Sequence, residues 1–152
     1  MGLLIFVVFL ILFLDALVSA AEAAIYCVPI HRAQILAEKY RFSGKILVEL
    51  KNSMERPITT LLALSNFITI AGSFFVGILA SRILGDRWVG VLAAILTFIL
   101  MIFGEIIPKR LAERHAEKVA LAFAPIVDFI SHLFAPISWL IKVFTRPFLG
   151  PN

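Results

Sequence analysis

Charge is what this sequence has least of. Lys, Arg, Asp and Glu make up 16% of its 152 residues, against 61% hydrophobic residues. A soluble domain averages roughly 25% charged and 45–50% apolar residues. With a mean hydropathy of +1.01, the chain cannot coat a water-soluble globule, and a soluble enzyme is excluded. Cysteine is nearly missing: Cys27 stands alone, so no intrachain disulfide is available, and it reads as a small apolar residue of a membrane span. The histidines His31, His115 and His132 are scattered and form no H-E-x-x-H zinc pattern. Asp128, Ser131 and His132 look like a catalytic triad on paper. Residues at i, i+3 and i+4 of one helix do not build a nucleophile–base–orienter chain with an oxyanion hole, so intramembrane hydrolysis is set aside. Repeats and low-complexity tracts are also missing.

What is there is three long apolar stretches, residues 2–28, 58–84 and 88–107. Each exceeds the ~18–20 residues that cross a bilayer as a helix. Residues 3–14 with Val18-Ser19-Ala20 look like a secretory signal, but no Lys or Arg precedes them and helix-compatible sequence continues through Ala24 and Ile25. The stretch therefore reads as a span. Pro29 ends it. Residues 31–56 are polar and helix-prone, and Ser43-Gly44 divides them into 31–42 and 45–56. Ile35 and Leu36 in one segment, and Ile46, Leu47, Leu50 and Met54 in the other, recur at helical spacing, as in helices lying on a membrane surface. Pro57 opens the second span, residues 85–87 form a tight turn, and Pro108 closes the third span. Residues 109–124 are amphipathic. Residues 125–144 are apolar again but hold Asp128, His132, Pro136 and Lys142.

The basic residues give the orientation. The first linker carries Arg32, Lys39, Arg41, Lys45, Lys51 and Arg56, and the turn near residue 85 only Arg82 and Arg87. Lys109, Arg110, Arg114, Lys118, Lys142 and Arg146 follow the third span. The positive-inside rule then places the linker and C-terminus in the cytoplasm and the N-terminus outside. The net charge of +4 is loop charge on this reading and implies no nucleic-acid partner. Lys142 and Arg146 disfavour a fourth crossing, so residues 126–145 are expected at the interface or re-entrant. The expected fold is all-α and integral to the plasma membrane. It is a single transmembrane domain over residues 1–152, with three spans, linker helices and a juxtamembrane region at 109–146.

Charges inside spans are costly, roughly 2.5–3.5 kcal/mol each near the centre on insertion scales, and usually functional. Asp15, Ser19 and Glu22 share one face of the first span. In the second, Ser65, Thr69, Ser73, Gly77 and Ser81 recur every four residues, a small-residue ridge suited to close helix approach. The Gly77–Ser81 end is expected against another helix. Ser65, Asn66 and Thr69 are more polar than packing requires and are expected to line an ion path. At the end of the third span, Pro108 cannot donate to the Gly104 carbonyl, and Glu105 adds a carboxylate beside it. Carboxylate, carbonyl and hydroxyl oxygens are hard ligands suited to Mg²⁺ or Ca²⁺. The competing reading pairs Glu105 with Lys109 or Arg110 across a Pro kink.

Phe103-Gly104-Glu105-Ile106-Ile107-Pro108-Lys109 resembles the G-E-[IVL]-x-P-K signature of the cyclin M/CorC magnesium transporter family. Ser19-Ala20-Ala21-Glu22-Ala23-Ala24 is similar to its S-G-S-E-T-A stretch, and Ser65-Asn66-Phe67-Ile68-Thr69 lies where bacterial members have N-N-x-x-N. The resemblance covers essentially the whole chain. It implies a homodimeric membrane domain that exports Mg²⁺, with Na⁺ entry as the proposed coupling. The implied ligand positions are Ser19, Ser65, Thr69 and Glu105, with Asn66 and Gly104 nearby. Asp15 and Glu22 take second place. Ser65 and Thr69 replace amides by hydroxyls, and Ala20 replaces a glycine. Relatives continue into nucleotide-binding modules beyond the membrane domain. This sequence is expected to be either part of a longer protein or a minimal member. The alternative to transport is a non-transporting module that senses Mg²⁺ or anchors a partner.

Overall fold

The computed structural model describes residues 1–136, 139–140 and 143–144. It is all-α. Helix α1 (Gly2–Cys27) stops at Val28, whose backbone is extended (φ −73°, ψ 119°) because Pro29 crowds a helical residue before it. Two short helices follow, α2 (Ile30–Lys39) and α3 (Ser43–Asn52). Then come α4 (Glu55–Leu84), α5 (Asp86–Ile99), a π-helical stretch (Leu100–Ile106), α6 (Ile107–Arg114) and α7 (Ala116–Leu133). Among the described residues, three helical runs are long and apolar enough to cross a membrane: Gly2–Cys27, Glu55–Leu84 and Asp86–Arg114. Phe6, Phe9, Phe13, Phe67, Phe74, Ile95 and Phe98 stand exposed on their outer faces, as lipid contact requires.

Several boundaries differ from the sequence reading, each for a local reason. Pro108 does not close the third span. The π-helical stretch takes up the mismatch, and the helix continues through Pro108 to Arg114. The turn between the second and third spans is the single residue Gly85, which takes φ 83°, a conformation glycine adopts without strain. The linker breaks at Tyr40–Phe42, before Ser43-Gly44. Gly44 lies inside α3, where a Cβ would stand 2.5 Å from the Ala37 Cα, so it is a contact glycine that lets α3 fold back onto α2. His115 interrupts residues 109–124, whereas α7 runs straight through Pro125, held by its buried neighbours Ala124 and Val127. Lys142 and Arg146, on which the reading of 126–145 partly rested, lie outside the described residues.

The serine–glycine ridge of α4 is not one seam. Gly77 and Ser73 line a small cavity of about 50 Å³ against Leu92 and Ala93 of α5, and a Cβ on Gly77 would meet nothing within 4 Å. Ser81 spends its hydroxyl on Asp86 across the turn. The tight contact is at Gly72, off the ridge, where a Cβ would lie 2.7 Å from the Ile11 side chain of α1.

Packing divides into two apolar clusters. Ile11, Val76, Leu96 and Leu100 join the three spans toward one end. Ala21, Ala24 and Ile25 of α1, with Val28 just beyond it, meet Leu47 and Leu50 of α3, Leu61 of α4, and Ala112, Ala120, Ala124 and Val127 toward the other. The alanines admit close helix contact without large side chains. Polar ties fasten the linker to this cluster. Arg32 Nε donates to Glu117 of α7 at 2.8 Å. Lys51 Nζ of α3 donates to the carbonyls of Ile25 (3.0 Å) and Tyr26 (3.3 Å), satisfying orphan acceptors at the end of α1. Burial draws the Lys51 ammonium below the usual lysine range.

Gly44→Val should lower the melting temperature of the detergent-solubilised protein, because overpacking a close contact costs roughly 1–3 kcal/mol. Lys51→Met should lower it by the loss of about 1 kcal/mol of hydrogen bonding. Thermal melts of both variants beside the parent protein check this.

Candidate functional site

Between the two clusters α1 presents a carboxylate to its neighbours. Asp15 is 3% exposed. Ser65 of α4 donates its hydroxyl to Asp15 Oδ1 at 2.6 Å. Asp15 Oδ2 faces Gly104 of the third span so closely that a Cβ there would stand 2.6 Å from it. Any side chain at residue 104 would displace the carboxylate. Three segments distant in sequence thus converge on one acidic group. Ser19, one turn along the same face of α1, is fully buried, and its Oγ has no hydrogen-bond partner among the described residues. The buried hydroxyls of Thr60 and Ser131 share this state, and a buried hydroxyl without a partner is costly.

The π-helical stretch shapes the third wall. The Ile107 N–H donates to the Ile102 carbonyl, five residues back, and Pro108 has no N–H. The Phe103 carbonyl therefore loses both of its main-chain donors, and Gly104 loses its i+4 donor. Such π turns recur at functional sites. The sequence pointed to the free carbonyl but not to the wider turn, whose only signal was the Gly104–Pro108 spacing.

Glu105 is placed differently. Its side chain is 53% exposed and pairs with Lys109 Nζ at 3.0 Å. Lys109 also reaches Glu22 of α1 at 3.4 Å. The pairing weighed for Glu105 in the sequence is thus present, and Glu22 shares it. Thr69 donates its hydroxyl within α4, to the carbonyls of Ser65 (2.9 Å) and Asn66 (3.2 Å), leaving its lone pairs unused. Asn66 is exposed. The structure thus gathers Asp15, Ser65 and Gly104 in direct contact, keeps Ser19 a turn away, and sets Glu105 and Glu22 around Lys109. Asp15, ranked second in the sequence reading, holds the central place.

The acidic groups are spread out. Among the described residues no three His, Cys, Asp or Glu side chains cluster closely enough to hold a metal by themselves. A cation here would rest on one or two carboxylates, with hydroxyls, carbonyls and water completing the shell. That is the manner of Mg²⁺, which keeps several waters.

Residues 5–151 match the Cyclin M transmembrane N-terminal domain family. The chain belongs to that family. Among relatives of this cyclin M domain is the UPF0053 protein sll1254 of Synechocystis, 40% identical over 93% of this chain and 41% of the relative. The UPF0053 inner membrane protein YfjD of Escherichia coli is 28% identical over 88% of this chain and 31% of its own length. A polyamine export protein of Haemophilus influenzae is 27% identical over 88% of this chain and 34% of its own. The chain spans about a third to two fifths of the length of these relatives.

Gly104→Ala and Gly77→Ala should move stability in opposite directions. Alanine is favoured over glycine in a helix by about 1 kcal/mol, and Gly77 has room for it. At Gly104 the added methyl must push Asp15 off Ser65. Melting should rise for Gly77→Ala and fall for Gly104→Ala.

Proposed function

We propose that this cyclin M domain carries a divalent cation, Mg²⁺, across the membrane, with Asp15 at the centre of its path. The single observation behind this reading is the buried Asp15 carboxylate at the meeting point of three spans, beside the orphaned Ser19 hydroxyl. A carboxylate buried in a membrane-spanning helix is rare and costly unless it serves ions or protons. Asp15 and Ser19 would contribute from α1, and Ser65, Thr69 and Asn66 from α4. The Phe103 and Gly104 carbonyls and Glu105 would contribute from the third span. Carriage requires α1 and the third span to move relative to one another, since Gly104 closes over Asp15. By the family resemblance the direction is export, with Na⁺ as the coupling ion, and the working unit is a homodimer. The positive-inside rule supports a cytoplasmic α2 and α3 and an N-terminus outside.

A second reading rests on a specific contact. The Glu22 and Glu105 carboxylates already accept an ammonium, that of Lys109, and one relative is named a polyamine export protein. An organic polycation is the competing cargo.

In detergent the protein should melt higher in Mg²⁺ than in EDTA at matched ionic strength, by roughly 2.7 kcal/mol with ligand at ~100 times Kd. Asp15→Asn and Glu105→Gln should each remove most of that gain, together with Mg²⁺ flux into liposomes. A shift with spermidine that Asp15→Asn abolishes, and none with Mg²⁺, would turn the assignment to polyamines. Binding without flux would make the domain a sensor. For orientation, Asn52→Cys on a Cys27→Ser background should react with an impermeant thiol reagent only from the cytoplasmic side. Labelling from outside would invert the topology.

A further inference from the structure

Among the described residues, Lys109 is the basic side chain that pairs with Glu22 and Glu105. Its ammonium lies 3.0 Å from Glu105 and 3.4 Å from Glu22, so one cation bridges the first span to the third. A transported cation using Glu105 must therefore meet a cation already there. Beside Lys109 lies an open cavity of about 250 Å³ lined by Glu22, Ala23, Tyr26, Cys27, Lys109 and Glu113. Glu113 stands one helical turn beyond Lys109, as Glu105 stands one turn before it. A lysine can reach a carboxylate at either i−4 or i+4 on a helix.

Resting on the Mg²⁺ reading, we propose that Lys109 is a tethered counter-cation that occupies the ion path when it is empty. It clamps Glu22 to Glu105 and swings toward Glu113 when a divalent cation takes Glu105. Two physical consequences follow. The empty protein does not leave Glu22 and Glu105 as bare neighbouring carboxylates, and its first and third spans are held together. A cation must also outcompete an ammonium at contact distance, so it binds more weakly than it would to the same carboxylates left bare.

The test uses the whole chain in detergent, with Mg²⁺ as the probe and melting temperature titrated against its concentration. Lys109→Met removes the competitor, so the Mg²⁺ midpoint should fall by up to roughly fivefold, the range for loss of a partly screened ion pair. Lys109→Arg should keep the parent midpoint. Glu113→Gln withdraws the landing site and should raise it. If Lys109→Met does not fold, the unsubstituted protein still decides the matter. Mg²⁺ should increase the acylation of Lys109 by an amine-reactive reagent, mapped by mass spectrometry, because the released ammonium enters the open cavity. A Mg²⁺ midpoint unchanged in Lys109→Met, or Lys109 reactivity that Mg²⁺ leaves unchanged or lowers, would make the lysine a fixed strut and overturn the proposal. A parent protein that shows no Mg²⁺ shift at all would instead remove the transport reading and this inference with it.

Discussion

A carboxylate buried among membrane-spanning helices constrains everything packed around it. Asp15 sits at the junction of α1, α4 and the third span with almost no exposure. The surrounding sequence supplies what such a group needs. Ser65 gives it a short hydrogen bond, and Gly104 gives it room. Neither requirement tolerates much change, since a side chain at residue 104 or an apolar one at residue 65 would leave the charge crowded or unsatisfied. The close helix contacts at Gly72 and through the alanines of α1 bring these segments near enough to meet.

The π-helical stretch follows from the same constraint. A proline four residues after Gly104 would kink an ordinary helix at a point where α1 lies against it. Widening the turn by one residue lets the helix continue through Pro108. It also redirects the missing hydrogen bond, so that the Phe103 and Gly104 carbonyls both lack ordinary main-chain donors. Backbone irregularity at membrane depth is tolerated where it is buried in protein or lines a cavity, and here Gly104 is buried against Asp15 of α1.

Around this centre the short helices act as a brace. Lys51 closes the carbonyl end of α1 from α3, and Arg32 ties α2 to α7. Each link joins residues far apart in sequence, so the polar linker is packed onto the spans and is not a loose connection. Lys109 makes a similar link from the third span to Glu22 of α1. That link engages side chains of the candidate site itself, which sets it apart from the other two.

Composition and hydrophobic runs alone determined that this is an all-α membrane protein with three spans. Backbone groups in lipid must be satisfied locally, and only helices of that length satisfy them. The motif spacing likewise brought Ser19, Ser65, Gly104 and Glu105 into view, and Glu105–Lys109 lie at a spacing that any helix brings together. Rank among the acidic residues was not legible. Asp15 and Glu105 carry the same chemistry in sequence, and only packing against Ser65 and Gly104 buries one and leaves the other half exposed. The path of the helix through Pro108, the fold-back at Gly44 and the joining of Glu22 to Glu105 by Lys109 were also decided in three dimensions. Each depends on contact between segments that a linear pattern does not place side by side.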